Sequence, residues 1–133
     1  YPYLFSYFRG EEWRTQKTVA DLLRKYYTAR PDGIPGNDDC GTMSSWAIFS
    51  MMGFYPDCPG SPYYTLTTPA FSKVTLHLDP KYYPGGDLVI ETDRTSPEQT
   101  FIKSMALGGK PLGSFRISHK QLVEGKTLQM TLK

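Results

Sequence analysis

The sequence predicts an α+β fold, with helices in residues 1–60 and an antiparallel, β-sandwich-like layer in residues 61–133. In the first part, apolar side chains recur with the period of an α-helix. In the second part, they fall into short alternating runs separated by Gly and Pro, as in antiparallel strands. The chain has 133 residues, of which 39% are hydrophobic and 21% are charged. It is therefore long enough to bury a core.

The first predicted helix runs from Glu11 to about Ala29. Acidic residues lie at its start and basic residues near its end, which suits the helix dipole. Pro31 follows and predicts the end of the helix. The apolar residues have the spacing of a helix with one buried stripe, and they are Val19, Leu22, Leu23, Tyr26 and Tyr27.

The second predicted helix runs from about Cys40 to Met52, and Gly53 is suited to end it. It is apolar on nearly every face, which is typical of a helix buried on most sides. The rest of the chain offers too few helices to surround it. We therefore expect further helices upstream, in a larger protein of which this chain is a fragment.

Six short segments after Pro62 predict strands, because apolar and polar residues alternate in several of them. Turn signals rich in Gly and Pro separate them. The six predicted strands are Tyr63–Thr67, Lys73–Leu78, Asp87–Glu91, Thr100–Ala106, Ser114–Ile117 and Thr127–Leu132.

Composition and charge exclude some classes of partner. The net charge of +2, with no basic stripe, argues against nucleic acid. No apolar run approaches the ~20 residues of a membrane-spanning helix, so no membrane span is predicted. The first residue, Tyr1, is preceded by no initiator Met or basic leader, which also suggests the interior of a longer chain.

The two cysteines, Cys40 and Cys58, leave two alternatives open. A disulfide would require their Cα atoms to lie within ~7 Å, so the chain after Gly53 would have to run straight back along the second helix. Two buried free thiols are the other interpretation.

The segment Gly36–Gly41, with the sequence Gly-Asn-Asp-Asp-Cys-Gly, is the strongest candidate for chemistry. It places Asp38 and Asp39 between a flexible loop and the start of a helix. One interpretation is helix capping, in which an aspartate accepts hydrogen bonds from free N–H groups. The other is a catalytic or metal-binding role, because a carboxylate at a helix N-terminus is held ionised and nearby glycines let a ligand approach the backbone. The residues alone leave both open.

A resemblance to a known family favours the second interpretation. It is carried by seven runs of the sequence: Pro2–Phe5, Trp13–Gln16, Gly33–Trp46, Phe49–Ser50, Gly53–Pro56, Cys58–Ser61 and Pro69–Val74. Through these runs the chain resembles the C-terminal part of family 92 glycoside hydrolases, which are α-mannosidases, and the likeness covers essentially all of it.

The resemblance implies calcium-dependent, inverting, exo-acting hydrolysis of terminal α-linked mannose, with α-1,2 linkages as the expected substrates. It places the end of an (α/α) barrel in residues 1–60 and a terminal β layer in residues 61–133. It also implies a secreted, periplasmic or cell-surface enzyme that acts on mannose-containing glycans, with upstream domains as partners of this chain. The calcium ligands are expected mostly upstream, and the chain alone is expected to be inactive.

Carried over position by position, the resemblance makes Asp39 the principal general base and Asp38 its neighbour, with Asn37 and Gly36 as substrate contacts. Some family members have an acidic residue where this chain has Asn37. Inverting hydrolysis needs an acid and a base about 6.5–9.5 Å apart, on opposite sides of the sugar. Because Asp38 and Asp39 are consecutive, the acid is expected from outside this chain.

Other conspicuous residues have predicted structural roles. Trp46 is expected in the core, His77 on a solvated strand face, His119 near a turn, and Tyr82–Gly86 in an exposed loop. Neither histidine has a partner at metal-ligand spacing. The alternative function is a non-catalytic carbohydrate-binding or structural β module, suggested by the strand-rich half and by 14% aromatic residues.

Overall fold

A computed structural model describes residues 2–133, in which two α-helices precede the first strand and a third lies between the last two strands. A short 3-10 helix, Pro2–Tyr7, leads into α1, Glu12–Tyr26, and α2, Thr42–Met52. A third helix, α3, spans His119–Gly125. The strands are β1 Phe54–Tyr55, β2 Tyr63–Leu66, β3 Lys73–Leu76, β4 Leu88–Thr92, β5 Ile102–Leu107, β6 Lys110–Pro111, β7 Arg116–Ser118 and β8 Thr127–Leu132.

The sheets confirm the predicted α+β fold class and add one parallel pair. The smaller sheet has the order β1-β2-β7 and the larger β3-β4-β8-β5-β6. Within residues 2–133, every strand pairing is antiparallel except that of β4 with β8, where Val89 lies opposite Thr127. The last strand inserts between β4 and β5, so its direction relative to β4 depends on the whole connection and not on any local pattern.

Two helix boundaries differ from the sequence-based expectation. α1 ends at Tyr26, three residues before Ala29, because Tyr27 takes an extended conformation with φ −113° and ψ 113°. α2 begins at Thr42 because Cys40 and Gly41 both have positive φ and cannot continue a right-handed helix. Gly53 ends α2 as predicted, with φ 97° and its N–H bonded to the carbonyls of Phe49 and Ser50.

The core lies mainly on the larger sheet and under α3. Ile90 of β4 and Leu128 of β8 are fully buried, and Leu122 of α3 packs with them. α3 is not among the helices predicted from the sequence, although Ser118 and Gln121 form a capping box with each other's backbone N–H groups. A serine followed three residues later by glutamine is the signal that could have found this helix.

α2 is less covered within residues 2–133 than its sequence predicts. Only Ala47 and Ser50 are buried, and 58% of Ile48 is exposed. No described element packs over that side, so the expected burial on most faces is not met by these residues. None of the described helices combines the length and apolar character that crossing a membrane requires.

Both cysteines carry free thiols, so the possible Cys40–Cys58 disulfide is not formed. The alternative of two buried thiols is wrong in one respect, because both residues are exposed. Cys40 lies in the loop before α2, and Cys58 lies in the turn between β1 and β2, where neither reaches the core.

A buried hydrogen bond ties α1 to the larger sheet. The backbone N–H of Ile102 in β5 donates to Oε1 of Gln16 over 2.9 Å, and both residues are buried. Contacts also cross residue 60, since β1 pairs with β2. The division of the chain into 1–60 and 61–133 stays a prediction.

Gln16→Leu is expected to loosen the start of β5, because it keeps the bulk of the side chain but leaves the Ile102 N–H buried without a partner. That loss costs about 1–3 kcal/mol. Amide hydrogen exchange at Ile102, followed by mass spectrometry, should become faster. Lys17→Ala is the control on the same helix, with an exposed side chain. Unchanged exchange in Gln16→Leu would show that the bond does not hold the sheet.

Candidate active site

The loop between α1 and α2 is held by short-range backbone hydrogen bonds. Thr28 N–H donates to the Gly33 carbonyl, and Gly33 N–H donates to the Arg30 carbonyl, each over 2.9 Å. A Cβ atom at Gly33 would lie 2.0 Å from the Thr28 carbonyl oxygen, so only glycine fits there. This turn sets the path by which the chain reaches Gly36–Gly41.

Three residues of Gly36–Gly41 have positive φ: Gly36 at 111°, Cys40 at 55° and Gly41 at 78°. For the glycines this carries no steric cost. Cys40 has a Cβ atom, so its left-handed conformation costs roughly 1–2 kcal/mol. Strained residues of this kind concentrate at functional sites. Here the strain lies next to Asp39, at the turn that leads into α2.

Asp38 caps the start of α2, as the first interpretation predicts, although the N-cap residue of this helix is Gly41. Its Oδ1 accepts from the Ser44 backbone N–H over 2.8 Å, and its Oδ2 accepts from the Ser44 hydroxyl over 2.6 Å. The Ser44 hydroxyl and then its N–H hold the pKa of Asp38 below its usual value. Asp38 is thus a fixed, ionised carboxylate.

Asp39 is the exposed member of the pair. Its backbone carbonyl accepts from the Thr42 hydroxyl over 2.6 Å, which fixes the main chain. Within residues 2–133, its carboxylate accepts no hydrogen bond. Asn37 and Gly36 are also exposed beside it. The loop therefore presents one carboxylate outward while the other anchors it to α2.

A cluster of aromatic rings lies next to the loop. Tyr27 stacks on Trp46, with ring centroids 5.4 Å apart, and Trp46 meets Tyr3 edge to face at 6.3 Å. Burial and then the charge of Asp38 raise the pKa of Tyr27, which puts that ring in the electrostatic reach of the carboxylate. Trp46 packs between the two tyrosines but is only partly buried. It lies outside the core cluster, so its predicted place in the core is wrong.

The other residues singled out in the sequence lie in the β layer. His77 is exposed and its Nδ1 lies 3.1 Å from Asp87. His119 is bridged by the hydroxyls of Tyr64 at 2.8 Å and Tyr83 at 3.2 Å. Tyr82 is 66% exposed, as predicted for its loop. Among residues 2–133, no three His, Cys, Asp or Glu side chains converge on a possible metal position.

Two residues of this site, Ser44 and Tyr27, are not among the site residues predicted from the sequence. Ser44 could have been found by placing the helix start at Thr42, which makes Ser44 the third helical residue and its N–H a free donor. Tyr27 gave no such signal, because its contact with Trp46 depends on how the two helices pack.

Ser44→Ala is expected to raise the pKa of Asp38. The variant removes the hydroxyl that is the largest cause of the lowered pKa, so this carboxylate would protonate at a higher pH than in the parent protein. A pH titration of the Asp38 carboxyl carbon, followed by NMR, measures the shift. Ser45→Ala, at the exposed neighbouring position, should leave the titration in place, and an unmoved pKa in Ser44→Ala would show that the Ser44 hydroxyl does not hold Asp38 ionised.

Comparison with known proteins identifies the class of molecule to which this fold and loop belong. They form part of the catalytic domain of a glycoside hydrolase. The family model described as the glycosyl hydrolase family 92 catalytic domain matches residues 1–133. The chain belongs to this family.

Individual relatives agree with the assignment. An uncharacterised secreted glycosidase from Arthroderma benhamiae is 33% identical over 130 residues, which cover 98% of this chain and 16% of the relative. A family 92 α-mannosidase from Bacteroides thetaiotaomicron, solved with mannoimidazole, has a TM-score of 0.89 and 29% identity over 99% of this chain and 17% of its own. An inverting mannosidase of the same family and organism has a TM-score of 0.80 and 33% sequence identity. The match covers 92% of this chain and 16% of the mannosidase. The chain thus spans about a sixth of their length.

Proposed function

We propose that the protein containing this chain is an exo-acting α-mannosidase that removes terminal α-1,2-linked mannose from glycans with inversion. The observation that carries the proposal is the loop in which Asp38 is anchored to Ser44 and Asp39 points outward. Membership of family 92 and the likeness to two mannosidases, one of them inverting, support it.

In this proposal Asp39 is the general base that takes a proton from the attacking water. A base must be ionised and open to the substrate, and an exposed carboxylate on a rigid loop meets the second requirement. Asp38 acts as its neighbour, and its hydrogen bonds to Ser44 keep the main chain of the loop in place. Positioning of this kind accounts for a large part of enzymatic rate enhancement.

The general acid would come from another part of the protein. Adjacent residues on one loop lie on the same side of a bound sugar, whereas inversion needs an acid across the scissile bond. Asp38 also accepts two hydrogen bonds as a carboxylate and has a lowered pKa, which suits it poorly to donate a proton. This chain alone would therefore be inactive and would need the upstream domains.

Substrate contacts are proposed for Asn37 and Gly36, next to the base. The amide of Asn37 is exposed and offers both donors and an acceptor to sugar hydroxyls. At Gly36 no atom lies within 4 Å of where a Cβ would stand, and φ is 111°. The missing side chain leaves room for a pyranose to approach the backbone.

A calcium requirement is part of the proposal, through the family. Residues 2–133 do not supply a cluster of acidic ligands for the ion, although Asp39 and Asn37 offer the oxygen donors that Ca²⁺ accepts. Most ligands would therefore come from elsewhere in the protein. We also propose a secreted, periplasmic or cell-surface location, supported by the relative described as a secreted glycosidase.

Proton NMR of mannobiose hydrolysis tests the proposal directly. With the methyl glycoside of α-1,2-linked mannobiose as substrate for the natural protein, only the cleaved residue is released as free mannose. That mannose should first appear as the β-anomer, before mutarotation produces the α-anomer. EDTA should remove activity and added Ca²⁺ should restore it. Release of α-mannose first would exclude inversion, and no hydrolysis of any α-mannoside would exclude the proposed activity.

The alternative of a carbohydrate-binding module is favoured by one observation. The exposed ring of Tyr82 stands at the edge of a cavity of about 370 Å³ that Tyr83, His119, Lys120 and Glu124 also line. Titration with mannobiose, followed by NMR, would distinguish the two functions. Saturable shifts at Tyr82 without hydrolysis would favour the module.

A further inference from the structure

A second cavity, of about 190 Å³, lies where α1 faces the segments that precede β3 and β5. Ala20, Leu23 and Pro69 give it apolar walls, and Arg24 and Arg94 line it with two guanidinium groups. None of the described residues that line it carries a carboxylate. The volume is roughly six times the ~30 Å³ of a liquid water molecule, enough for a small tetrahedral anion.

Arg94 is held in a fixed orientation at this cavity. Its Nη2 donates to the carbonyls of Pro69 over 2.7 Å and Gln99 over 3.2 Å, and its Nη1 donates to that of Ala70 over 3.0 Å. These bonds do not use every donor of the guanidinium. Its Nε–H is buried and has no hydrogen-bond partner among the described residues. A buried charged donor without a partner is costly and calls for an explanation.

Arg24 brings a second positive charge to the same place. Its Nη2 donates to the carbonyl of Pro97, in the loop that also holds Arg94. The ion pairs found among residues 2–133 include neither arginine. Burial and then the charge of Arg24 lower the pKa of Arg94, so the two cations repel each other across the cavity. An anion bound between the two arginines would offset both the burial of the Arg94 charge and the repulsion between the two cations.

We propose that this cavity binds a tetrahedral oxyanion, a phosphate group that is either free or esterified to a sugar. Guanidinium groups match phosphate oxygens with paired, charge-assisted hydrogen bonds. The carbonyl contacts already fix both side chains, so binding would lose little side-chain entropy. Arg94 is partly buried, which limits screening by water at its guanidinium group. This site is separate from the Asp38–Asp39 loop and does not depend on the proposed hydrolysis.

Thermal unfolding of the natural protein tests the site, with inorganic phosphate titrated at constant ionic strength. Phosphate should raise the Tm in a saturable way. Arg24→Gln should weaken the apparent Kd about tenfold or more, since a charge-assisted hydrogen bond is lost. Lys25→Gln is the matched control, because Lys25 is the exposed next residue of α1 and lies outside the cavity. Its response to phosphate should equal that of the parent.

The same titration with mannose 6-phosphate distinguishes the two sources of phosphate. Tighter binding of the sugar phosphate, lost in Arg24→Gln, would identify an esterified ligand, and equal or weaker binding would identify free phosphate. The proposal is overturned if phosphate produces no saturable rise in Tm, or if Arg24→Gln responds as the parent does. The readout needs no activity, so its failure is distinguishable from failure of the mannosidase assignment.

Discussion

Asp39→Asn is expected to lower kcat on terminal α-mannosides by about 10²- to 10⁴-fold, the usual contribution of a general acid or base. Asparagine has nearly the same shape as aspartate but cannot accept a proton from water at neutral pH. The side chain of Asp39 is exposed, and its carboxylate accepts no hydrogen bond within residues 2–133. The fold should therefore be unaffected. Steady-state kinetics on α-1,2-linked mannobiose, with circular dichroism as a check of folding, measure the effect.

Asp32→Asn is the matched control for this experiment. Asp32 is an exposed aspartate of the same interhelical loop, so the substitution makes the same change of charge. Its activity should stay near that of the parent. Near-parental activity in Asp39→Asn would exclude Asp39 as the base.

Leu128→Ala is expected to cause the largest loss of stability, about 2–5 kcal/mol. Leu128 has 0% exposure and lies in β8, between Ile90 of β4 and Leu107 of β5. Truncation removes apolar contacts and leaves a cavity that a five-stranded sheet cannot easily close. The midpoint of urea unfolding should fall, with strand content followed by circular dichroism.

Gln129→Ala is the control on the same strand, since Gln129 is exposed and faces away from the core. Its effect should stay within about 0.5 kcal/mol. If Leu128→Ala and Gln129→Ala unfold at the same urea concentration, β8 does not form the centre of the core.

The sequence predicted the local structure well where one pattern dominates. The strand Thr127–Leu132 was found with its observed bounds, and Lys73–Leu76 and Tyr63–Leu66 were found within two residues. Along β3 and β8 burial alternates from residue to residue, and the sequence shows the same alternation of apolar and polar side chains. The start of α2 was placed two residues early, because the left-handed conformation of Cys40 has no signature in its side chain.

Features that depend on distant contacts could not be predicted. The parallel pairing of β4 with β8 brings together strands that lie far apart in the chain. The hydrogen bond from Ile102 to Gln16 joins residues 86 positions apart. At the candidate site, the residues left capping and chemistry as alternatives for both aspartates. The structure assigns capping to Asp38, while the role of Asp39 as base remains a proposal.

The bond between Gln16 and Ile102 has a consequence for mutational genetics. The C-terminal end of α1 leads into the loop of Asp38 and Asp39, and the first part of the helix is hydrogen-bonded to the larger sheet through Gln16. A random screen for inactive variants would therefore recover many substitutions in the sheet core, far from any sugar. Such a screen would find residues that hold the loop in place as often as residues of the loop itself. Only inactive variants that remain abundant in the cell would identify residues that take part in the reaction.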